Sequence, residues 1–274
     1  MTFEELRAIE NEAERVNATY DIFNENARLS SKSARVEFIN TVKFVEKYLK
    51  SGDRILDIGA GAGEYSIYFA NKGFDVDALE LSNQNIRDFK AKMKPEMKPE
   101  MKLTLTQGNA LDLSMYEDET YDIVLLMGPL YHLKDDKDKK KAIEEAKRVC
   151  KKEGIIAFAF ITHDMIFMTE LSYNDHYFAT GDYDHETMRL NDFPFVFKTV
   201  EESRRLLEEC GIVIKHAVAV DGPSELMADK INAMNDEEYR QYLKYVDMIC
   251  EKPDMLGMSN HLLYIGKKHE MCPA

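Results

Sequence analysis

The sequence has few cysteines and no long apolar run, and each shortage excludes a class of protein. Its four cysteines, Cys150, Cys210, Cys250 and Cys272, are scattered without CxxC or other metal-site spacing. This pattern favours reduced thiols and a cytoplasmic location. No apolar stretch approaches the roughly 18 residues of a membrane span, so we expect no membrane association. The acidic start, MTFEELRAIENEAERV, differs from a basic-then-apolar secretion signal.

The sequence also lacks an excess of basic residues. Thirty-six Lys and Arg face 50 Asp and Glu, for a formal net charge of −14. A phosphate backbone is bound through Lys and Arg, so we expect no nucleic-acid partner. The Lys134–Lys152 segment alternates its charges and is typical of a solvated helix face. A length of 274 residues with 45% apolar content fits one domain with elaborations.

A glycine-studded turn is the most informative feature that is present. The apolar run that begins at Ile55 ends in Asp57 and passes into Gly59-Ala60-Gly61-Ala62-Gly63. An amphipathic stretch, Glu64–Asn71, follows directly. This order predicts a strand, a tight turn and a helix, in which the glycines let the backbone approach a ligand at the helix N-terminus.

A second apolar run, Phe74–Leu81, contains the acid Glu80 at its end. An acid at the tip of the second strand holds the ribose hydroxyls of a nucleoside in doubly wound folds. The dinucleotide fingerprint requires a third glycine at the sixth position of the turn, and Glu64 stands there. A nicotinamide-dependent oxidoreductase is therefore disfavoured, although it remains one alternative.

Strand and helix patterns alternate through most of the chain, which predicts a parallel sheet covered by helices on both faces. The predicted strands are Arg54–Ile58, Asp75–Glu80, Leu103–Gln107, Tyr121–Met127, Ile155–Ile161, Ile212–Val220 and His261–Lys267. The predicted helices are Thr2–Tyr20, Ser33–Leu49, Glu64–Asn71, Asn83–Lys92, Lys137–Cys150, Val200–Cys210 and a further helical stretch in Pro223–Ile249. The prolines of the Met93–Lys102 repeat predict a loop.

Four segments follow from this pattern. Residues 1–50 are expected to form an N-terminal helical cap, and residues 51–161 a cofactor-binding core. Residues 162–198 show no sustained period and are expected to form an inserted lid. Residues 199–274 are expected to complete the core around a helical insertion.

Four motifs in order along the chain resemble the class I S-adenosylmethionine-dependent methyltransferases. They are Asp57-Ile58-Gly59-Ala60-Gly61-Ala62-Gly63, Glu80-Leu81, Gly108-Asn109-Ala110-Leu111-Asp112 and the strand from Tyr121 to His132. The resemblance covers roughly residues 50–222 and the closing strand. It implies a Rossmann-like, doubly wound, mostly parallel seven-stranded α/β sheet whose last strand is antiparallel, and S-adenosylmethionine as cofactor.

The resemblance also implies roles for individual residues. Glu80 would accept hydrogen bonds from the ribose hydroxyls, and Leu81 would pack on the adenine. Asn109 and the Ala110 N–H would contact the adenine edge, with Asn a departure from the Asp common in the family. The implied cofactor-binding set is Asp57, Gly59, Ala60, Gly61, Gly63, Glu80, Leu81, Asn109, Ala110 and Met127.

The end of the fourth strand bears on the acceptor. Met127-Gly128-Pro129-Leu130-Tyr131-His132 lacks the Asn/Asp-Pro-Pro-Tyr/Phe ending of many amino-methylating enzymes. It looks like the small-molecule branch of the family. Tyr131 and His132 are the candidate catalytic residues, because a Tyr or His there orients the nucleophile or takes its proton. The alternative is that Tyr131 is core and His132 caps the next helix.

Two further groups of residues are candidates for the site. Tyr20, Arg28 and Arg35 are possible contacts to the carboxylate of the cofactor, or else form helix-surface ion pairs. The aromatic residues of 162–198, among them Phe193, suit a lid that excludes water. His176, Asp182, Asp184 and His185 fit no ligand signature, so we predict no metal site.

The sequence thus predicts a cytoplasmic methyltransferase that moves the methyl group of S-adenosylmethionine to a small-molecule acceptor. A non-catalytic module that binds S-adenosylmethionine or S-adenosylhomocysteine is the second alternative.

Overall fold

A computed structural model of the protein describes residues 1–23, 25, 28–96, 101–192 and 194–269, without the side chains of residues 3 and 94–96. One mixed sheet runs through this part of the chain. Its strands are β1 (Arg54–Ile58), β2 (Asp75–Glu80), β3 (Lys102–Gln107), β4 (Tyr121–Leu126), β5 (Cys150–Thr162), β6 (Phe197–Lys198), β7 (Ile212–Ala219) and β8 (His261–Lys268).

The strand order is β3-β2-β1-β4-β5-β8-β7, and β8 runs antiparallel to both of its neighbours. The predicted Rossmann-like, mostly parallel seven-stranded sheet is therefore confirmed. A two-residue strand, β6, adds to it by pairing with the end of β5. The order reverses between β1 and β4, and ligands of open α/β sheets bind at such a switch point, outside the carboxyl ends of the strands.

Strict alternation along the strands builds a core on each face of the sheet. Ile55 and Ile123 belong to one buried cluster, and Leu56 and Val124 to the other. Successive side chains of a strand point to opposite faces, so apolar runs such as Ile55–Ile58 are buried on both sides. This double burial fixes the register of the central strands, and with it the position of the loops that follow them.

Helices cover both faces and extend over the carboxyl edge of the sheet. They are α1 (Phe3–Arg7), α2 (Glu12–Tyr20), α3 (Lys32–Glu46), α4 (Glu64–Asn71), α5 (Asn83–Glu96), α6 (Asp136–Val149), α7 (His163–Tyr173), α8 (Val200–Glu209), α9 (Ala228–Asn232), α10 (Asp236–Ile249) and α11 (Pro253–Leu256). None of the helices in the described ranges has the length and apolarity to cross a bilayer.

Three helix predictions differ from the structure. The helix predicted over Thr2–Tyr20 is two helices, because Asn11 caps the second one by accepting a hydrogen bond from the Glu14 N–H at 3.0 Å. Helix α5 continues to Glu96, one turn beyond its predicted end, and residues 97–100 of the predicted loop lie outside the described part. No helix was predicted in the first part of the lid segment, which lacks apolar periodicity, and the structure has helix α7 there.

The N-terminal helices are tied to the helical insertion after β7. The Ser33 N–H donates to Asn232 Oδ1 at 2.9 Å, and the Tyr239 hydroxyl donates to the Lys32 carbonyl at 2.7 Å. Asn40 Nδ2 donates to the Val220 carbonyl at 2.7 Å. These bonds hold α3 across the carboxyl edge of the sheet, beside the end of β7.

Alanine at Gly63 is expected to destabilise the fold more than alanine at Gly73. Both glycines have left-handed backbones, with φ of 85° and 94°, so strain costs about 1–2 kcal/mol at either site. Only at Gly63 does an added Cβ meet another group, the Phe89 ring at 2.4 Å, and overpacking there costs about 1–3 kcal/mol more. Urea unfolding of the ligand-free variants measures the difference. Equal free energies of unfolding would contradict this packing.

Candidate functional site

The turn between β1 and α4 is fastened to the end of β2 by the carboxylate of Glu80. Its Oε2 accepts from the Gly61 N–H at 2.8 Å, and its Oε1 accepts from the Ser82 N–H at 2.7 Å. Glu80 is only 4% exposed. Burial raises its pKa, and the two N–H donors act in the opposite direction. The side chain is thus a carboxylate held in a fixed direction by backbone groups.

Asp57, at the end of β1, lies beneath the same turn. The Ser66 hydroxyl donates to Asp57 Oδ2 at 2.6 Å, and both side chains are buried. Burial raises the pKa of Asp57 to about 7, against the opposing effect of the Ser66 hydrogen bond. A cationic group next to Asp57 would restore its charge, so this position suits an ammonium ligand.

Glycine is required at two places where backbones approach each other. A Cβ on Gly59, which has φ of 75°, would lie 2.6 Å from Pro129 Cδ. A Cβ on Gly128 would lie 2.9 Å from the carbonyl oxygen of Gly59. The first turn and the end of β4 are therefore in contact, and the two loops form one continuous wall.

Two clefts lie along this wall. The Glu80 cleft contains Glu80, Leu81, Asn109, Ala110 and Gly59 on the sheet side, and Glu12, Val16 and Tyr20 of α2 on the other. The Asp57 cleft contains Asp57, Gly59, Ala60, Gly61 and Met127, together with Arg28, Glu37, Tyr131 and His261. Every predicted cofactor-binding residue lines one of the two except Gly63, which caps α4 against Phe89.

The Glu80 cleft has the chemistry of a nucleoside site. Leu81 and Ala110 offer apolar surface on either side of Asn109. The Asn109 Oδ1 accepts from the Leu111 N–H at 2.9 Å, which leaves the amide nitrogen directed to Glu12 at 3.5 Å. One groove therefore contains a carboxylate suited to two ribose hydroxyls, an apolar surface suited to a base, and a side-chain amide.

A third space, which we call the outer cavity, has a volume of about 580 Å³. It lies between the N-terminal helices, the lid segment and the start of β8. Its lining includes Phe23, Ser33, Ala34, Ile166, Thr169, Glu170, Tyr173, Phe195, Phe197, Asp221, Glu225, Ala228 and Asn260. It shares with the Asp57 cleft the residues Tyr20, Glu25, Arg28, Glu37, Tyr131 and His261.

The two candidate catalytic residues face different spaces. Tyr131 lines both the Asp57 cleft and the outer cavity, and burial raises its pKa above the usual value. His132 lines the Glu80 cleft, where its Nε2 lies 2.7 Å from the hydroxyl of Tyr20. Burial lowers the pKa of His132 to about 4, against a hydrogen bond with the Pro194 backbone. The ring of His132 is therefore neutral and already hydrogen-bonded to Tyr20, an arrangement that suits a role in positioning Tyr20 better than proton transfer. Catalysis by His132 stays a prediction.

Of the three possible carboxylate contacts, two line the clefts. Tyr20 and Arg28 do so, whereas Arg35 pairs with Glu64 at 3.1 Å and stacks over the Phe38 ring at 3.7 Å. Arg28 forms a two-pronged ion pair with Glu37, at 2.5 and 3.1 Å, and a further pair with Glu25 at 2.8 Å. Arg35 therefore belongs to a surface ion pair, as the alternative interpretation stated.

A second charged group adjoins Arg28. The Nδ1 of His261 lies 2.7 Å from Asp221 Oδ2 and 3.6 Å from Glu37 Oε2. Burial opposes the charged form of His261, but the carboxylates of Glu37 and Asp221 outweigh burial and raise its pKa to about 9. Burial also opposes the charge on Glu37, and Arg28 reverses that effect and lowers the pKa of Glu37 to about 2.

The structure does not unite the histidines and acids of the lid segment. His185 Nε2 contacts the Thr180 carbonyl at 2.7 Å, and Asp184 accepts from backbone N–H groups of its own turn. Within the described ranges, the group whose ligand atoms lie within 4.8 Å of one another is Glu37, Asp221 and His261. Arg28 already neutralises Glu37 there, so these residues form an ion-pair network.

Sequence patterns did not identify Glu12, Glu37, Asp221 or His261. Each comes from a segment outside the four motifs, and the fold brings them to the site from α2, α3, the end of β7 and the start of β8. The sequence did contain one signal for His261. It is a polar residue at the start of the closing strand, and this position places it at an edge of the sheet, outside the apolar core.

Comparisons with known proteins identify the kind of domain that carries these clefts. Residues 56–158 match the Methyltransf_11 family, described as a methyltransferase domain. The chain is 27% identical over 209 residues to the putative methyltransferase YqeM of Bacillus subtilis, spanning 65% of this chain and 81% of that protein. It is 31% identical over 103 residues to a putative ribosomal RNA large subunit methyltransferase, MJ1649, of Methanocaldococcus jannaschii, of which it spans only 26%.

Among solved structures, magnesium protoporphyrin IX methyltransferase of Synechocystis with bound S-adenosylhomocysteine has a TM-score of 0.57 at 12% identity. The match covers 94% of this chain and 100% of that one, and it establishes the likeness of the fold. The family match falls on β1 through β5, the strands that carry the glycine turn, Glu80, Asn109 and Met127. Residues 56–158 therefore form a methyltransferase domain, the domain of an enzyme whose cofactor is S-adenosylmethionine.

Proposed function

We propose that the protein transfers the methyl group of S-adenosylmethionine to a small molecule bound in the outer cavity. The observation that carries this proposal is the boundary between the Asp57 cleft and the outer cavity. Six residues line both spaces: Tyr20, Glu25, Arg28, Glu37, Tyr131 and His261. A donor group in the cleft and an acceptor in the cavity therefore meet across one shared wall.

Glu80, Leu81, Asn109 and Ala110 are proposed to hold the adenosine part of the cofactor. The carboxylate of Glu80 suits the ribose hydroxyls because it is a charged acceptor with a fixed direction. Asp57, Gly59, Ala60, Gly61 and Met127 are proposed to hold the amino-acid part, with Gly63 shaping the turn. S-adenosylmethionine supplies an electrophilic methyl group on a sulfonium, which needs no further activation.

The lining of the outer cavity supports a small acceptor over a nucleic acid. Five carboxylates, those of Glu25, Glu37, Glu170, Asp221 and Glu225, face one arginine and one histidine. Negative charge repels a phosphate backbone, whose binding rests on Lys and Arg. The cavity is also enclosed by α3 on one side and α7 on the other, and a volume of about 580 Å³ suits a small ligand.

We assign residues 1–50 as a helical cap and residues 162–198 as a lid over a core of residues 51–161 and 199–274. The bonds of α3 to Asn232 and Tyr239 support the cap. The Val196 N–H, which donates to the Tyr131 carbonyl at 2.9 Å, supports the lid. A cytoplasmic location belongs to the proposal as well, on the basis of the free cysteines Cys150, Cys210 and Cys250.

The contribution of the chain to catalysis is alignment and exclusion of water. Tyr131 lies on the shared wall, and its ring packs edge-on against the ring of Phe195 at 6.1 Å between centroids. Its raised pKa keeps the hydroxyl protonated, so it orients an acceptor by hydrogen bonding. Alignment of two reactants is worth up to about 7–11 kcal/mol, which is ample for an activated donor.

Replacing Glu80 with alanine is expected to weaken binding of S-adenosylhomocysteine more than tenfold, about 1.4 kcal/mol, because two charge-assisted hydrogen bonds are lost. Glu80→Gln keeps the shape and one acceptor oxygen and should lie between the wild type and alanine. Isothermal titration calorimetry measures each dissociation constant. Glu201→Ala, at an exposed position of α8, is the control.

The Glu80 prediction is separable from unfolding. Thermal denaturation of each variant without ligand reports the loss of the Gly61 and Ser82 contacts. A Glu80→Ala variant that stays folded and binds S-adenosylhomocysteine as tightly as the wild type would remove Glu80 from the site.

Methyl-labelled S-adenosylmethionine is expected to label the metabolite ultrafiltrate of a cell extract and not its purified RNA. Ala34→Trp should abolish the labelling by filling the outer cavity, because Ala34 lines it. Affinity for S-adenosylhomocysteine should be unchanged. Ala91→Trp, on the exposed face of α5, is the matched control. Label in RNA, or full activity of Ala34→Trp, would contradict the small-molecule proposal.

A further inference from the structure

The shared wall between the Asp57 cleft and the outer cavity contains several groups able to exchange protons. A group on this wall is within reach of a nucleophile that attacks the donor, so each titratable member is a candidate to take the acceptor's proton. Its members are Tyr20, Glu25, Arg28, Glu37, Tyr131 and His261. Their environments decide which is suited to that role.

Most of these groups are poor proton acceptors. Burial raises the pKa of both Tyr20 and Tyr131, so each hydroxyl stays protonated. Arg28 holds the pKa of Glu37 at about 2, which makes that carboxylate a weak base. Glu25 accepts from Arg28 Nε at 2.8 Å and is committed to that ion pair.

His261 has the geometry of an oriented base. Its Nδ1 lies 2.7 Å from Asp221 Oδ2, and its backbone N–H donates to Asp221 Oδ1 at 3.2 Å. Asp221 thereby fixes both the position and the tautomer of the ring. Within the described part of the chain, Nε2 has no hydrogen-bond partner, and the ring lines both spaces.

We propose that His261, positioned by Asp221, accepts the proton of the acceptor's nucleophile at Nε2. The proposal rests on the proposed methyl transfer in the outer cavity. It narrows the acceptors to compounds whose nitrogen or oxygen nucleophile arrives with a proton, namely amines and hydroxyl compounds. Thioethers and tertiary amines need no such base. A base with an orienting carboxylate is the arrangement that activates nucleophiles in unrelated enzymes.

The step balances in atoms and charge. The N–H or O–H bond of the acceptor breaks, and its proton forms a bond to Nε2 of His261. The electron pair left on the nucleophile forms the new bond to the methyl carbon. The carbon–sulfur bond breaks and its electrons stay on sulfur, so the positive charge of the sulfonium is replaced by that of the imidazolium. Glu37 and Asp221 stabilise that imidazolium.

The charged groups around His261 set the direction of the pH dependence. Asp221 faces it from the end of β7 and Glu37 from α3, while Arg28 lies beyond Glu37. Because the two carboxylates raise the pKa of His261 to about 9, the neutral base is a minor form at pH 7. The fraction of neutral base, and with it the rate, increases as the pH rises toward 9.

The test measures labelling of the metabolite ultrafiltrate from methyl-labelled S-adenosylmethionine as a function of pH. The wild-type rate should rise with pH and level off above about 9. His261→Gln should be at least about 100-fold slower, the usual contribution of a general base. The variant should retain its affinity for S-adenosylhomocysteine. The rate of His261→Gln should also stop rising with pH, except for any rise caused by titration of the acceptor itself.

Two further variants separate catalysis from folding. Asp221→Asn should move the inflection of the rate to lower pH, because one of the carboxylates that stabilise the imidazolium is gone, and a merely structural role would not move it. His216→Gln is the matched control, since His216 forms a similar pair with Glu251 at 2.5 Å, away from all three spaces. It should behave as the wild type.

A readout without turnover tests the placement of His261. In NMR titrations of the full chain, the pKa of His261 should be at least about half a pH unit lower with S-adenosylmethionine than with S-adenosylhomocysteine, because only the former carries a positive sulfonium. The resonances of His216 should not differ between the two complexes. Equal values for His261 would overturn the proposal, whatever the acceptor is.

The kinetic outcomes are equally distinct. Full activity and an unchanged pH slope in His261→Gln would overturn the proposal. A wild-type rate that falls as the pH rises through 9 would also overturn it, because the protonated form of His261 would then be the active one, binding the acceptor as a cation. Activity lost to a chelator and restored by a divalent cation would make His261 a metal ligand instead. If the wild type labels none of the acceptor fractions, the proposed function itself is refuted.

Discussion

The hydrogen bonds from the Gly61 and Ser82 N–H groups to Glu80 hold the functional end of the molecule together. They join the turn after β1 to the end of β2 at 2.8 and 2.7 Å. The close contact of Gly59 with Pro129 adds the end of β4 to the same wall. The loops at the switch point of the sheet are therefore held in one common geometry. A buried carboxylate with backbone donors is fixed before any ligand arrives, which reduces the ordering required on binding.

Two charged networks divide the site. Glu80 and Asp57 are buried acids with raised pKa values in the two clefts along the glycine turn. Arg28, Glu37, Asp221 and His261 form a chain of ion pairs between the Asp57 cleft and the outer cavity. Burial of Glu80 and Asp57 strengthens their electrostatic contacts, because the surrounding dielectric is low.

The sequence was sufficient for the sheet and for the glycine turn after β1, because both depend on local rules. Short apolar runs predicted the strands and placed Glu80 at the end of the second one, and the acid-glycine string predicted the turn. Helix α7 was missed because its buried residues, among them His163 and Thr169, follow no apolar period. Asp221 and His261 were missed because 40 residues separate them in the chain, and their pairing depends on β7 and β8 being antiparallel neighbours.

A crystal structure of the protein with S-adenosylhomocysteine tests the central claim most directly. The account predicts that the ribose hydroxyls contact the carboxylate of Glu80, that the amino group lies beside Asp57, and that the sulfur faces the outer cavity across the shared wall. A nucleoside bound in another orientation, or at another edge of the sheet, would contradict it.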